Sequence, residues 1–158
     1  MKTYVLILSQ QYPKTHSLAG NPTDFITKFL NRFKKHTIRG NYELWAKRFE
    51  QINNGKACLS VRVWSGKPYR SNQVEISKLT NLDGIGIQKL TFQEMWATVS
   101  QCIITKSKDG NHIFVPDIAH LGILAINDGL DPQHFKEWFA NYDLSQPLAI
   151  IHFTSFRY

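Results

Sequence analysis

Cysteine, acidic residues and long apolar runs are all scarce in this chain, and each scarcity removes a class of protein. The two cysteines among 158 residues, Cys58 and Cys102, stand in separate apolar stretches with no Cys-x-x-Cys pair. That usage argues against a disulfide scaffold or a cysteine zinc site and predicts two buried, reduced thiols. No stretch approaches the roughly 20 apolar residues that a membrane span requires, so no membrane partner is expected. The opening Met1-Lys2-Thr3-Tyr4-Val5-Leu6-Ile7-Leu8 turns polar at Ser9-Gln10-Gln11. It lacks the apolar length of a secretory leader and reads as a first strand, so a cytoplasmic protein is the expectation. A glycine-rich phosphate loop and a Gly-x-Ser-x-Gly elbow are both missing, which sets aside P-loop hydrolases and α/β-hydrolases. His36, His112, His120, His134 and His152 are scattered, and no pair of them has ligand spacing joined to a Cys or carboxylate cluster. No metal and no cofactor are predicted.

Negative charge is short in a particular place. The chain carries 19 Lys and Arg against 12 Asp and Glu, for a net charge of +7. Residues 1–70 hold 13 of the cations and only 3 of the acids, whereas residues 71–158 hold 6 and 9. The positive field therefore belongs to the first half, as expected of a surface that meets a phosphate backbone.

What is present fits one domain over residues 1–158, long enough to bury a core without staples. The loop Gln10–Pro22 leads to a helix that Thr23 can cap, with Phe25, Ile26, Phe29, Leu30 and Phe33 as its apolar stripe and Lys28, Arg32 and Lys35 as a basic edge. A second helix is read from Asn41 to Asn53, ended by Asn54-Gly55. Alternation predicts strands over Ala57–Trp64, Gln73–Leu79 and Gly84–Phe92, the last with a bulge between Ile87 and Leu90. Met95–Thr105 fits helix or strand equally, and Ser107–Asn111 is a turn before a short strand at His112–Val115. Pro116 opens a helix to about Asn127, Asp131-Pro132 starts another with Phe135, Trp138, Phe139 and Tyr142 on its buried face, and Leu148–Phe156 closes the chain as an interior strand. The order of elements predicts an α+β fold with a small barrel and flanking helices.

Two stretches carry the chemistry. Lys34-Lys35-His36-Thr37-Ile38-Arg39 crowds three fixed cations, a hydroxyl and an imidazole between the first two helices. Such crowding suits a site that meets an anion, although a solvated basic turn has the same composition. The second, Arg62-Val63-Trp64-Ser65-Gly66-Lys67-Pro68-Tyr69-Arg70, interleaves rings with cations. That is the pattern of a platform for single-stranded bases, and equally of a hairpin whose rings pack locally.

Lys34-x-x-Thr37-x-Arg39 resembles the signature of the ASCH superfamily, whose members have a PUA-like fold, and the Asp128–Phe139 segment and the closing strand resemble that family too. The resemblance implies a small PUA-like mixed β-barrel with the motif lining a cleft, and work on RNA or a modified nucleoside. Binding through Lys35, Arg39, Arg62, Trp64, Lys67, Tyr69 and Arg70 is the leading expectation. Some relatives are amidohydrolases acting on N4-acetylcytidine. By that likeness Lys34 would be the base, Thr37 the nucleophile and Asp128 the acid, although Asp stands where Glu is usual. A ribonuclease and a non-catalytic protein-interaction module are the remaining alternatives.

Overall fold

The computed structural model describes residues 1–92, 112–114 and 118–158. Apolar alternation at Tyr4, Leu6 and Leu8 makes β1 (Lys2–Ile7) a strand that buries Leu6 and lies parallel to β3 (Ala57–Trp64). Among the described residues β3 is the central strand of a three-stranded sheet in the order β1-β3-β4, with β4 (Gln73–Leu79) antiparallel to it and a register shift at Val61/Arg62. Ala57, Leu59, Val61 and Val63 all enter the core, as the two-residue period requires.

A second sheet has the order β2-β7-β5-β6, built from β2 (His36–Arg39), β5 (Gly86–Thr91), β6 (His112–Phe114) and β7 (Leu148–His152). The five residues of β7 are all buried because it lies between β2 and β5, antiparallel to both. That bears out an interior closing strand. Among the described residues no strand belongs to both sheets, so the architecture is mixed α+β, and the expected closed barrel is not found.

Among the described residues four α-helices accompany the sheets: α1 (Phe25–Leu30), α2 (Tyr42–Asn53), α3 (Ile118–Asn127) and α4 (Pro132–Trp138). Asn41 starts α2 by accepting the Leu44 N–H on its side chain at 3.1 Å, and Trp45, Phe49 and Ile52 recur at helical spacing to face inward. Phe49, 1% exposed, is a side chain whose burial is worth roughly 2–3 kcal/mol. Asp131 caps α4 through the Gln133 N–H, with Pro132 in the first turn, and Phe135 and Phe139 are buried. One hydrophobic cluster joins Leu6, Leu59 and Val61 of the first sheet to Ile38, Leu90 and Ile150 of the second and to the inner faces of α2 and α4.

Several sequence expectations are corrected. α1 stops at Leu30, and Arg32 turns left-handed at φ 62°. Leu30 and Phe33 therefore leave the apolar stripe and are exposed, and Lys35 does not continue a helical basic edge. Asp24, not Thr23, is the cap residue of α1, while the Thr23 hydroxyl accepts the Phe25 N–H at 3.3 Å and ties back to the Ser9 carbonyl. β5 pairs with β7 without a bulge; its alternation buries Gly86, Gln88 and Leu90, so the inward polar residue Gln88 had disguised the period. Met95–Thr105, the 107–111 turn, Cys102 and Pro116 lie outside the described residues.

Candidate functional site

The focal stretch is a strand preceded by a sharp turn, and that geometry decides which of its cations are enclosed. The left-handed Arg32 folds the chain back on α1, so that the Lys34 N–H donates to the Lys28 carbonyl at 2.9 Å. Lys34 is thereby pointed inward and is 1% exposed. Its ammonium lies 4.0 Å from the centre of the Phe25 ring and donates to Asp128 Oδ1 at 2.8 Å and to the Asp128 carbonyl. Asp128 follows the end of α3 and is held there by the turn at Gly129, whose φ of 81° suits glycine. A Cβ at Gly129 would also lie 3.4 Å from carbons of Phe25, Lys28 and Lys34. Lys34 and Asp128, the residues that resemblance assigned as base and acid, are thus in direct contact.

Burial pulls both partners toward their neutral forms. The Lys34 pKa falls to about 8, chiefly by desolvation, with Asp128 opposing the fall and Arg39 and Lys28 adding to it. Burial raises the Asp128 carboxyl, against the stabilising pull of Lys34, Arg39 and the Ile38 N–H. Ile38 can make that bond because β2 is the outer strand of its sheet, leaving alternate N–H groups unpaired by β7.

Thr37 and Arg39 share one face of β2, two residues apart. Arg39 Nη1 donates to Thr37 Oγ1 and to the Ile38 carbonyl, each at 2.8 Å, and Nη2 donates to the Ile7 carbonyl at 2.6 Å. The guanidinium thus ties the motif to the end of β1. Ile7 is level with Arg62 on β3, and the Leu8 N–H donates to the Arg62 carbonyl at 2.8 Å. Arg39 is consequently connected to the strand that leads into the cationic, aromatic hairpin. Thr37 itself is 2% exposed.

That hairpin is open to solvent. Trp64 and Tyr69 stand with ring centres 5.3 Å apart, and Tyr69 is 90% exposed at a left-handed φ of 61°. Lys67 and Arg70 are exposed, whereas Arg62 is half-buried, donating to Ser60 Oγ at 2.8 Å with Glu75 3.9 Å away. Lys35 is half-buried, its ammonium 4.7 Å from the Phe156 ring centre, and its N–H donates to the Asn127 carbonyl. The predicted residues therefore divide into an enclosed group, Lys34, Thr37 and Asp128, and an open group at the hairpin, with Arg39 between them. A hollow of about 280 Å³ borders Lys34, Arg32, Phe29 and Phe153, and another of about 440 Å³ lies at Tyr42, Asp143 and Pro147. Neither includes Arg39 or Trp64.

Sequence reasoning assigned no role to the layer behind Asp128. His36 is fully buried, with Nδ1 3.8 Å from Asp128 Oδ1 and Nε2 2.7 Å from the Tyr158 hydroxyl, which also accepts from Asn127 Nδ2 at 3.0 Å. His152 faces His36 across the β2/β7 pair, ring centres 5.6 Å apart. Among the described residues neither ring nitrogen of His152, nor Nδ1 of His36, has a hydrogen-bond partner. Burial, reinforced by surrounding positive charge, keeps both imidazoles neutral: His36 falls well below its ordinary value and His152 drops to about 3. No sequence signal marks this layer, because the four residues of β2 are too few to show the alternation that places His36 and Ile38 on one face. Comparison with protein-family models, curated proteins and solved structures finds no significant match.

Proposed function

We propose that the chain is an ASCH-like, PUA-related domain that binds RNA or a nucleoside, with the open hairpin as its contact surface and the Lys34-x-x-Thr37-x-Arg39 strand as its anchor. The observation that carries this reading is the Arg39 bridge, which links Thr37 to Ile7 beside Arg62. Trp64 and Tyr69 offer ring faces for unstacked bases, and Lys67, Arg70 and Arg62 supply charge for their phosphates. Enclosure of Lys34, Thr37 and Asp128 favours the rim over the inner group as the contact for a polymer. Titration with single-stranded RNA at rising salt tests the reading: affinity falls steeply with salt if it holds, and absent or salt-independent affinity overturns it.

One observation favours a second reading, an amidohydrolase for an acylated cytidine: the enclosed Lys34–Asp128 pair, in which the Lys34 pKa near 8 leaves an appreciable share of neutral amine at slightly alkaline pH. In that chemistry Lys34 takes the Thr37 hydroxyl proton, Thr37 Oγ1 bonds to the acyl carbon, and Asp128 passes a proton to the departing amine. Water then releases the acid from Thr37. Arg39, now on the Thr37 hydroxyl, would have to yield it or follow the developing oxyanion. Incubation with N4-acetylcytidine decides the matter: turnover abolished by Thr37→Val supports the second reading, and an inert unmutated chain ends it.

A further inference from the structure

We propose that His16, His134 and Glu137 form a site for one divalent transition metal of the zinc class, pinning the loop after β1 to α4. This site is separate from the Lys34 cluster and does not depend on the function proposed above. One ligand atom from each of the three residues lies within 4.8 Å of the others. His134 and Glu137 share a face of α4 at i and i+3, and His16 reaches them from a loop 118 residues earlier in the chain. Two imidazoles and a carboxylate are a donor set that zinc and cobalt take readily, with the fourth position left to water.

The pocket is built for more than chance proximity. His16 is 4% exposed and is walled by Tyr12 and Trp138, with ring centres at 4.6 and 6.4 Å. The Glu137 carboxylate is oriented by the Ser17 N–H at 2.5 Å and the Ser17 hydroxyl at 2.7 Å, the kind of outer support that ligating carboxylates have. His16 Nε2 is 3.5 Å from Glu137 Oε2, close to the roughly 3.3 Å edge of a tetrahedron with 2.0–2.1 Å bonds. His134, half-exposed and touching the Gln133 amide at 3.2 Å, is the ligand that swings in.

Loading has a specific chemical consequence. His16 Nδ1 accepts the Leu18 N–H at 3.0 Å, so the ring proton sits on Nε2, facing the His134 carbonyl at 3.2 Å. For the ion to bind Nε2 of a neutral imidazole, the single ring proton must move from Nε2 to Nδ1, and Leu18 then loses its acceptor.

The test titrates Zn²⁺ and Co²⁺ into the metal-stripped full chain beside His134→Ala and Glu137→Gln, two half-exposed positions. The expected result is one equivalent bound, four-coordinate Co²⁺ absorption in the visible, at least tenfold weaker binding in each variant, and a Zn²⁺-dependent shift of the Leu18 amide resonance. Equal affinity in the unmutated and doubly substituted chains overturns the site. So does Zn²⁺ binding that leaves the Leu18 amide and His16 ring signals unmoved, a readout from the unmutated chain that stands even if a variant fails to fold. In either case the three residues would be a hydrogen-bonded clamp only.

Discussion

The Lys34–Asp128 cluster and the Trp64–Tyr69 hairpin are both dense in charge and ring, yet they spend those groups in opposite ways. In the cluster each charge is turned on another group of the same chain: Lys34 on Asp128 and Phe25, and Asp128 on the Ile38 N–H. At the hairpin Lys67 and Arg70 face solvent and Tyr69 is 90% exposed. Cations set beside rings thus make an interior lock in one place and an open surface in the other. Enclosure, more than composition, separates the two, because a buried charge must be matched from within whereas an exposed one is free to be matched by a ligand.

The sharpest way to break this comparison is to unbalance the lock. Lys34→Met or Asp128→Leu alone leaves a buried charge without its partner and should cost about 3–5 kcal/mol. The double substitution should cost less than the sum of the two, because no charge is then stranded. Urea unfolding of the three variants measures this, and a loss below about 1 kcal/mol for Lys34→Met would place the pair among surface-like ion pairs.

A smaller effect comes from the imidazoles behind the lock. Their folded-state pKa values lie below the unfolded value of 6.5, His152 at about 3. The unfolded chain therefore binds more protons between those values, and stability is full above pH 6.5 and is lost as pH falls toward the folded value. The slope should be about 1.4 kcal/mol per pH unit for an imidazole kept neutral, giving a loss of about 2 kcal/mol from His152 between pH 6.5 and 5, with His36 adding in the same direction. Unfolding measured at pH 7, 6 and 5 checks it, and His152→Phe should remove one ring's share of the slope. An unchanged slope in that variant would show that His152 does not report the acid sensitivity of this layer.

How far these features could be read in advance differs between the two regions. β3 and β4 are found at the bounds their alternation gave, and α2 within a residue of its reading, since strong periodicity and clear caps mark them. β2 was invisible, because four residues with a single aliphatic side chain, Ile38, carry no apolar period of their own and are strand through pairing with β7. α1 misled for the reverse reason: Leu30 and Phe33 keep the helical spacing, but the left-handed Arg32 ends the helix before Phe33. Resemblance singled out Lys34 and Asp128, and nothing in the sequence across a separation of 94 positions predicts that they meet. His36, Tyr158 and Asn127 become partners only through the fold, as do His16 and Glu137.

The remaining predictions concern the open region, where binding should change while the fold does not. Trp64→Ala and Tyr69→Ala should each weaken single-stranded RNA binding by about 1–3 kcal/mol, the worth of one stacked base. Chemical unfolding of the same variants separates loss of a platform from loss of structure. If either ring owed its place to core packing, stability would fall with affinity.

Lys67→Ala gives the smallest expected effect and the cleanest contrast with Lys34. Lys67 is exposed on the turn of the hairpin, so its removal should leave stability within about 0.5 kcal/mol of the unmutated chain. If its ammonium meets one phosphate, the slope of log affinity against log salt for single-stranded RNA should become shallower by about 0.7. An electrostatic contact of that kind weakens all sequences alike, since a phosphate carries no base identity. A slope that stays unchanged while Trp64→Ala still weakens binding would leave the rings as the platform and remove Lys67 from it. A slope that changes for Lys67→Ala but not for the half-buried Arg62→Ala, whose guanidinium already faces Ser60 and Glu75, would show that partners within the chain take a cation out of the binding surface, as they do for Lys34.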